Sequence, residues 1–143
     1  MNASGPEILF EVFYDLNIIT DPEENKPWVG FINTLPDKPN EAVAFFDSST
    51  ETQGRIQKTG ETIAFHEVQI RVRSTRSNLA SKKMKEIEQA LDEILKYEVS
   101  VDEERYLVHA THRMNTSVYI GQDESDRDSF VVDCRFYARK ITN

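Results

Sequence analysis

The sequence lacks the features that mark secreted, disulfide-stabilised or membrane-inserted proteins. A single cysteine, Cys134, stands among 143 residues, so no internal disulfide is available to the chain. No apolar run approaches the roughly 20 residues that a membrane-spanning helix needs, and we expect no membrane partner. The opening stretch MNASGPEIL has neither the basic segment nor the apolar run of a signal peptide. We therefore expect synthesis in the cytoplasm.

Basic residues are scarce relative to acidic ones. The chain has 17 Lys and Arg against 25 Asp and Glu, which gives a formal net charge of -8. A broad surface that binds nucleic acid needs clustered basic residues to displace counterions from phosphates, so this balance disfavours one. The sequence also lacks a G-x-G-x-x-G motif, a Walker loop and a G-x-S-x-G elbow. Phosphate cradling and esterase-type catalysis therefore have no motif support.

An acidic stretch near the carboxyl terminus has the partial spacing of a calcium loop. The stretch VYIGQDESDRDSFVVDCRFYARK contains Asp123-x-Ser125-x-Arg127, but the sixth loop position is Asp128 where the loop needs Gly. The twelfth position is Cys134 where the loop needs a bidentate Glu. We predict a polar turn at this place and no calcium site.

The histidines and the cysteine do not form a recognisable site either. His109 and His112 fall in a predicted strand, where an odd separation places two side chains on opposite faces, so we expect no zinc site. Cys134 lies between Val132 and Phe136 on an apolar face, and we expect it to be a small buried hydrophobic residue. The sequence thus predicts no catalytic residue, no metal ligand and no cofactor.

The first half of the chain predicts one helix, two strands and a loop. A helix starts at Ser4-Gly5-Pro6, carries an apolar stripe and stops near Asp21-Pro22. Short strands follow at Trp28 to Ile32 and Ala42 to Phe46, and the loop between them favours a hairpin. The polar segment from Ser48 to Thr62 predicts a long surface loop that becomes ordered on contact with a partner. The stripe consists of Leu9, Val12, Phe13 and Leu16.

The second half predicts a strand, a long helix and three further strands. Residues 63–73 alternate between apolar and polar side chains, which is typical of a strand with one buried face. A helix runs from Ser77, its expected N-cap, to about Lys96, with an apolar face at spacings of three and four. The remaining strands are predicted at residues 106–113, 117–120 and 129–140.

The exposed face of this long helix is charged in an unusual order. Lys82, Lys83 and Lys85 come early and four acidic residues come late, against the preference of the helix dipole. One interpretation is a solvated face with pairs such as Lys82 and Glu86. The other is a dipolar surface that meets a complementary neighbour.

These elements predict a single α+β domain over residues 1–143. An antiparallel or mixed sheet would have both helices packed on one face. The opposite face would carry more charge than solvation requires, which favours a role in assembly. Its residues are Glu67, Gln69, Arg71, Arg73, Asp133, Arg135 and Arg139.

The second half of the chain resembles a known family. The strand VQIRVRS, the helix NLASKKMKEIEQALDEI and the strands YLVHATHR and VYIGQDESDRDSFVVDCRFYARK are similar to the tail terminators of long-tailed bacteriophages, often called minor capsid proteins. The similarity covers residues 63–140, with the first helix and hairpin matching in order. Where the family pattern has a polar residue such as Asn, this chain has Cys134.

The resemblance implies a structural virion protein of the phage neck. Members form a ring of six subunits that caps the head-proximal end of the tail tube, stops its polymerisation and joins the tail to a head connector or stopper protein. DNA would pass through the lumen without specific binding, since acidic residues repel phosphates. The candidate contacts are the charged strand face and the acidic turn. Their residues are Arg71, Arg73, Asp123, Glu124, Asp126, Arg127, Asp133 and Arg135.

Two other functions stay open at this point. Another head-tail joining protein, a head completion or neck component, would share the fold and differ in its neighbours. A small cofactor-free enzyme or ligand-binding α+β domain would need a concave apolar pocket on which perturbed carboxylates, or His66, His109 or His112, converge.

Overall fold

A computed structural model describes residues 3–24, 26–55 and 62–141, with the backbone alone for 49–55 and 62–63. Within these ranges the chain forms two α-helices and seven β-strands, which confirms the α+β class. The helices are α1 (Gly5–Asp15) and α2 (Ser77–Glu93), with a 3-10 turn at Pro22–Glu24. The strands are β1 (Val29–Ile32), β2 (Ala42–Arg55), β3 (Thr62–Ser74), β4 (Leu95–Val101), β5 (Glu104–Arg113), β6 (Val118–Gln122) and β7 (Asp128–Ile141).

The strands form one mixed sheet in the order β1-β2-β3-β7-β5-β4, and β6 pairs with β7 beyond the end of β5. The predicted hairpin of β1 and β2 is wrong, because the two strands are parallel. Residues 33–41 carry the chain back before β2 starts. The other strand pairs are antiparallel.

Helix α1 begins as its sequence predicts. The side chain of Ser4 accepts from the backbone N–H of Glu7 and the Glu7 carboxylate accepts from the N–H of Ser4, a reciprocal capping box. The helix ends at Asp15, earlier than expected, and Asn17 with φ of 61° turns the chain. Leu16 therefore leaves the buried stripe and lies exposed.

The long loop predicted at Ser48 to Thr62 is largely strand. Residues 48–55 continue β2, Thr62 begins β3, and the two strands pair as far as Arg55 with Thr62. The sequence of this part of the strand pair has little apolar alternation, which is why it predicted a loop. Residues 56–61 of the predicted loop, and its ordering on contact, lie outside the described residues.

Helix α2 follows its predicted apolar face, and a strand comes directly after it. Arg76 is the N-cap, without a side-chain hydrogen bond, while the expected cap Ser77 is the first helical residue. The helix stops at Glu93, and residues 95–101, partly assigned to the helix from the sequence, form β4. Asp102 and Glu103, both at positive φ, turn the chain from β4 into β5.

One cluster of buried apolar side chains joins both helices to the same face of the sheet. The alternate residues of β3 and β7 point into it, as their periodicity predicts. They include Val68, Ile70, Val132, Cys134 and Phe136, each 0 % exposed. The other residues of these strands, half-buried in the main, face the opposite side, which we call the outer sheet face.

Candidate assembly surface

The outer sheet face holds two arginines stacked on aromatic rings. The guanidinium of Arg71 lies 5.8 Å from the ring centre of Phe46, and that of Arg135 lies 4.5 Å from the ring centre of Phe65. Glu67 is 3.8 Å from Arg135, as a long ion pair. A guanidinium over an aromatic ring is attracted to it by a cation–π interaction, and this interaction does not use its N–H donors.

These two arginines form no hydrogen bond to a described residue. The Nε atoms of Arg71 and Arg135 are buried and have no hydrogen-bond partner in the described part of the chain. Buried donors are almost always hydrogen-bonded in folded proteins. Asp133, on the same face, accepts from Asn115 at 2.8 Å and from Gln69 at 3.5 Å. The expected contact residues Arg71, Asp133 and Arg135 therefore do share one surface.

Arg73, on the same strand face, is buried and bonded within the subunit. Its side chain is buried and donates to the carbonyl oxygens of Pro36 at 2.7 Å, Pro39 at 2.6 Å and Asn40 at 3.3 Å. Burial, together with the nearby charge of Arg127, lowers the pKa of Arg73. The expected contact role of Arg73 is thus replaced by a structural one, because it holds the loop of residues 33–41 against β3.

Arg127 has the same structural role from the other side of that loop. Its side chain, 7 % exposed, donates from Nε to the Asp123 carboxylate at 2.8 Å and from a terminal nitrogen to the Asp37 carboxylate at 3.1 Å. It also donates to the carbonyl oxygen of Asp37. Arg127 therefore joins the proline-containing loop to the turn between β6 and β7, and it is not free to contact a neighbour.

The acidic turn divides into a structural residue and an exposed tip. Asp123 accepts from the backbone N–H groups of Ser125 at 2.9 Å and Arg127 at 3.0 Å. The backbone bond from Arg127 is the main cause that lowers the pKa of the Asp123 carboxyl group. Glu124 and Asp126 are exposed at the tip, and Asp126 has a φ of 59°. Asp123 thus shapes the turn, and the other two offer carboxylates to solvent.

Gly121 has a positive φ of 101°. The pairing of β6 with β7 shifts by a residue between Tyr119 and Gly121. A residue with a Cβ disfavours this backbone conformation.

The strand face and the acidic turn, expected as separate contact patches, are adjacent. Arg71, Ile120, Gly121 and Asp123 line one depression of about 280 Å³, with Leu35 from the loop of residues 33–41. Sequence reasoning missed this loop as part of the surface. The proline and charged residues of this loop indicated only a turn. The two buried arginines that attach the loop, Arg73 and Arg127, are far from it in the sequence.

The remaining candidate groups have structural surroundings. Cys134 is buried, and burial raises the pKa of its thiol to about 12, so the prediction of a small hydrophobic residue is confirmed. His109 and His112 were expected on opposite faces of their strand because side chains alternate along a strand. That reasoning does not hold here, since the pairing of β5 with β7 is irregular between Val108 and Thr111 and strict alternation is broken. Among the described residues, no three His, Cys, Asp or Glu side chains are grouped as a metal site would require.

The early lysines of α2 are not all on a solvated surface. Lys83 is buried, donates to the carbonyl oxygen of Ile18 at 3.0 Å and lies 5.2 Å from the ring centre of Trp28. Its ion pair is with Glu86 at 3.2 Å. Lys83 therefore attaches α2 to the segment after α1, while Lys82 and Lys85 remain exposed.

A family model described as bacteriophage tail terminator protein matches residues 14–138, most of the chain. The chain belongs to the bacteriophage tail terminator family. Members of the tail terminator family are structural proteins of the phage tail, so the chain has a structural role there.

A solved structure is also similar in fold. It is a chain from the "Virion of native gene transfer agent (GTA) particle", 12% identical, which matches over 76% of this chain and 78% of its own length with a TM-score of 0.49. A likeness at this level adds nothing to the functional argument for a tail terminator. No curated protein matches the sequence. Neither described α-helix has the length and hydropathy of a membrane span.

Proposed function

We propose that this chain is a ring-forming tail terminator. The ring caps the head-proximal end of the tail tube, stops polymerisation of the tube protein and joins the tail to a head connector or stopper protein. The family match supports this, and the observation that carries the ring is the outer sheet face with its two stacked arginines. Arginine is enriched among the residues that dominate binding at protein interfaces, and these residues cluster near the interface centre.

The proposed ring has six subunits, as the family resemblance implies. A closed ring needs a head-to-tail contact in which two different patches of each subunit meet. The contact residues are Arg71, Asp133 and Arg135 on the outer sheet face and Glu124 and Asp126 at the tip of the turn. Asp123, Arg73 and Arg127 support them by holding the turn and the loop in place. Charged pairs at such a contact set register and partner choice more than affinity.

The acidic composition suits a ring through which DNA slides. With a net charge of -8 on each subunit, a lumen lined by acidic residues would repel phosphates. In this proposal DNA passes through the ring and is not bound as a ligand. No cofactor and no chemical step takes part in it.

Light scattering and electron microscopy of the purified chain test the ring. We expect rings with a mass of about 99 kDa for six chains of 16.5 kDa. The double variant Arg71→Met and Arg135→Met should weaken assembly at least tenfold in the concentration at half assembly. The matched control is Lys82→Met and Lys85→Met, which removes two exposed positive charges from α2 and should assemble as the unchanged chain does. A monomer at micromolar concentration, with no rings after tube protein is added, counts against the proposal.

A further inference from the structure

An apolar groove opens on the helical side of the subunit. It has a volume of about 390 Å³ and lies between the end of α1, the last turns of α2 and the start of β4. Leu95, 69 % exposed, and Leu16, 39 % exposed, form its open sides. Glu86 and Glu93 lie at its rim, and no basic side chain of the described chain lines it. We call this feature the acidic groove.

A second exposed apolar feature lies on the opposite side of the sheet. In β6, Val118 is 52 % exposed and Ile120 is 45 % exposed. Val118 is paired with Val131, which is paired in turn with Arg71, so the three residues form one row across the outer sheet face. We call Val118, Ile120 and Arg71 the β6 edge patch.

The edge of β6 has little protection against pairing or packing with another chain. Among the described strands, β6 pairs with β7 alone, and its sequence VYIGQ has no Lys or Pro. Soluble proteins usually protect such an edge with charge or proline, and an exposed apolar edge marks a contact site.

We infer that the β6 edge patch of one subunit docks into the acidic groove of the next copy. This inference rests on the proposed ring and specifies its head-to-tail contact. The two features are on opposite sides of the sheet, so one subunit cannot join them within itself. Each has an apolar centre, and the charges beside the two centres are opposite in sign, Arg71 at the β6 edge patch and Glu93 at the groove.

A second copy is the occupant that satisfies both features together. A different protein bound in the groove would leave the β6 edge patch of every subunit exposed. In a head-to-tail ring each copy covers the groove of one neighbour and the β6 edge of the other.

Two variants, each defective in one feature, test this contact. Leu95→Glu places a carboxylate in the apolar centre of the groove, and Val118→Glu places one in the β6 edge patch. Both positions are more than half exposed, so each monomer should keep its melting temperature within about 2 °C, as surface substitutions do. Ser100→Glu, an exposed position at the far end of β4, is the matched control and should still form rings.

The mixture of the two variants gives the decisive result. Each variant alone should remain monomeric where the unchanged chain forms rings. An equimolar mixture should form 1:1 dimers of about 33 kDa and nothing larger, because one intact groove meets one intact β6 edge. Rings from either variant alone, or monomers alone in the mixture, overturn the inference while the ring of the unchanged chain stands. A monomeric unchanged chain instead overturns the proposed ring itself.

Discussion

Removal of the Arg127 side chain tests whether this residue holds the fold or contacts a neighbour. Arg127→Met keeps the aliphatic length and deletes the charge. The structure loses an Nε bond to Asp123 at 2.8 Å, a bond to the Asp37 carboxylate at 3.1 Å and a bond to the Asp37 carbonyl oxygen. Each charge-assisted hydrogen bond contributes on the order of 1.5 to 3 kcal/mol.

The loss of stability should be smaller than the sum of these contributions, because water can hydrogen-bond to the carboxylates that Arg127 no longer contacts. The carboxylate side chains are 77 % exposed at Asp37 and 37 % exposed at Asp123, so neither becomes a buried unpaired charge. We therefore expect a loss of about 2 to 3 kcal/mol in the free energy of unfolding, below the roughly 3 to 5 kcal/mol for breaking a fully buried pair. For a chain of this length the melting temperature should fall by about 5 to 10 °C.

Urea and thermal unfolding followed by circular dichroism measure this loss. Glu124→Gln is the matched control, since Glu124 is exposed at the tip of the same turn, and its unfolding free energy should change by less than about 0.5 kcal/mol. Amide hydrogen exchange should become faster in residues 34–40 of the Arg127 variant. A loss under about 0.5 kcal/mol, with unchanged exchange in the loop, refutes the structural role of Arg127.

Three further predictions concern the interior. Burial lowers the pKa of His66 from its ordinary value of 6.5, so the unfolded chain binds a proton at this residue more readily than the folded chain does. The contribution of neutral His66 to the free energy of unfolding should therefore be fully present above about pH 6.5 and fall as the pH drops below it. His66→Phe, which keeps the ring contact with Phe136, should flatten that part of the stability profile measured by urea unfolding, and an unchanged slope contradicts the reasoning. The Cys134 thiol, with its pKa raised to about 12, should react with Ellman's reagent in urea and not in buffer; prompt reaction of the native chain is the opposing outcome. Gly30→Ala places a Cβ 2.6 Å from Cδ1 of buried Ile19 and should lower the unfolding free energy by about 1 to 3 kcal/mol, whereas unaltered unfolding midpoints argue against a close-packed site.

The sequence predicted the elements whose periodicity is strong. Strands β3 and β7 alternate over their whole length and α2 has a regular apolar face, so their positions and buried sides were evident. β4 was missed because Leu91 and Ile94 extend the helical spacing to the point where the strand starts. The turn after β4 uses Asp102 and Glu103 at positive φ, without the Gly or Asn that usually announces such a turn.

The direction of β1 and the extent of β2 depend on contacts distant in sequence. Nothing in the local pattern of residues 29–46 distinguishes a parallel pair from a hairpin. The connecting loop is fixed by Arg73 and Arg127, which lie 33 or more positions away from the loop residues they bind. The polar part of β2 is held by its pairing with β3, and such pairing leaves no apolar signature in the sequence.

The candidate surface was predictable in its charges and not in its shape. Arg71, Asp133 and Arg135 were placed on one face by strand alternation alone. That Arg73 and Arg127 are buried depended on the folded loop. The acidic groove combines residues of α2, β4 and the segment after α1, and the early end of α1 is what leaves Leu16 at its edge.

Growth of tail tubes in the presence of this chain tests the account most directly. Purified tube protein from the same phage is polymerised with and without the chain, and tube lengths and ends are measured by electron microscopy. The account predicts a ring at one end of each tube and no further elongation once the ring is bound. Tubes that grow to the same length with bare ends, beside a chain that stays monomeric, would contradict it.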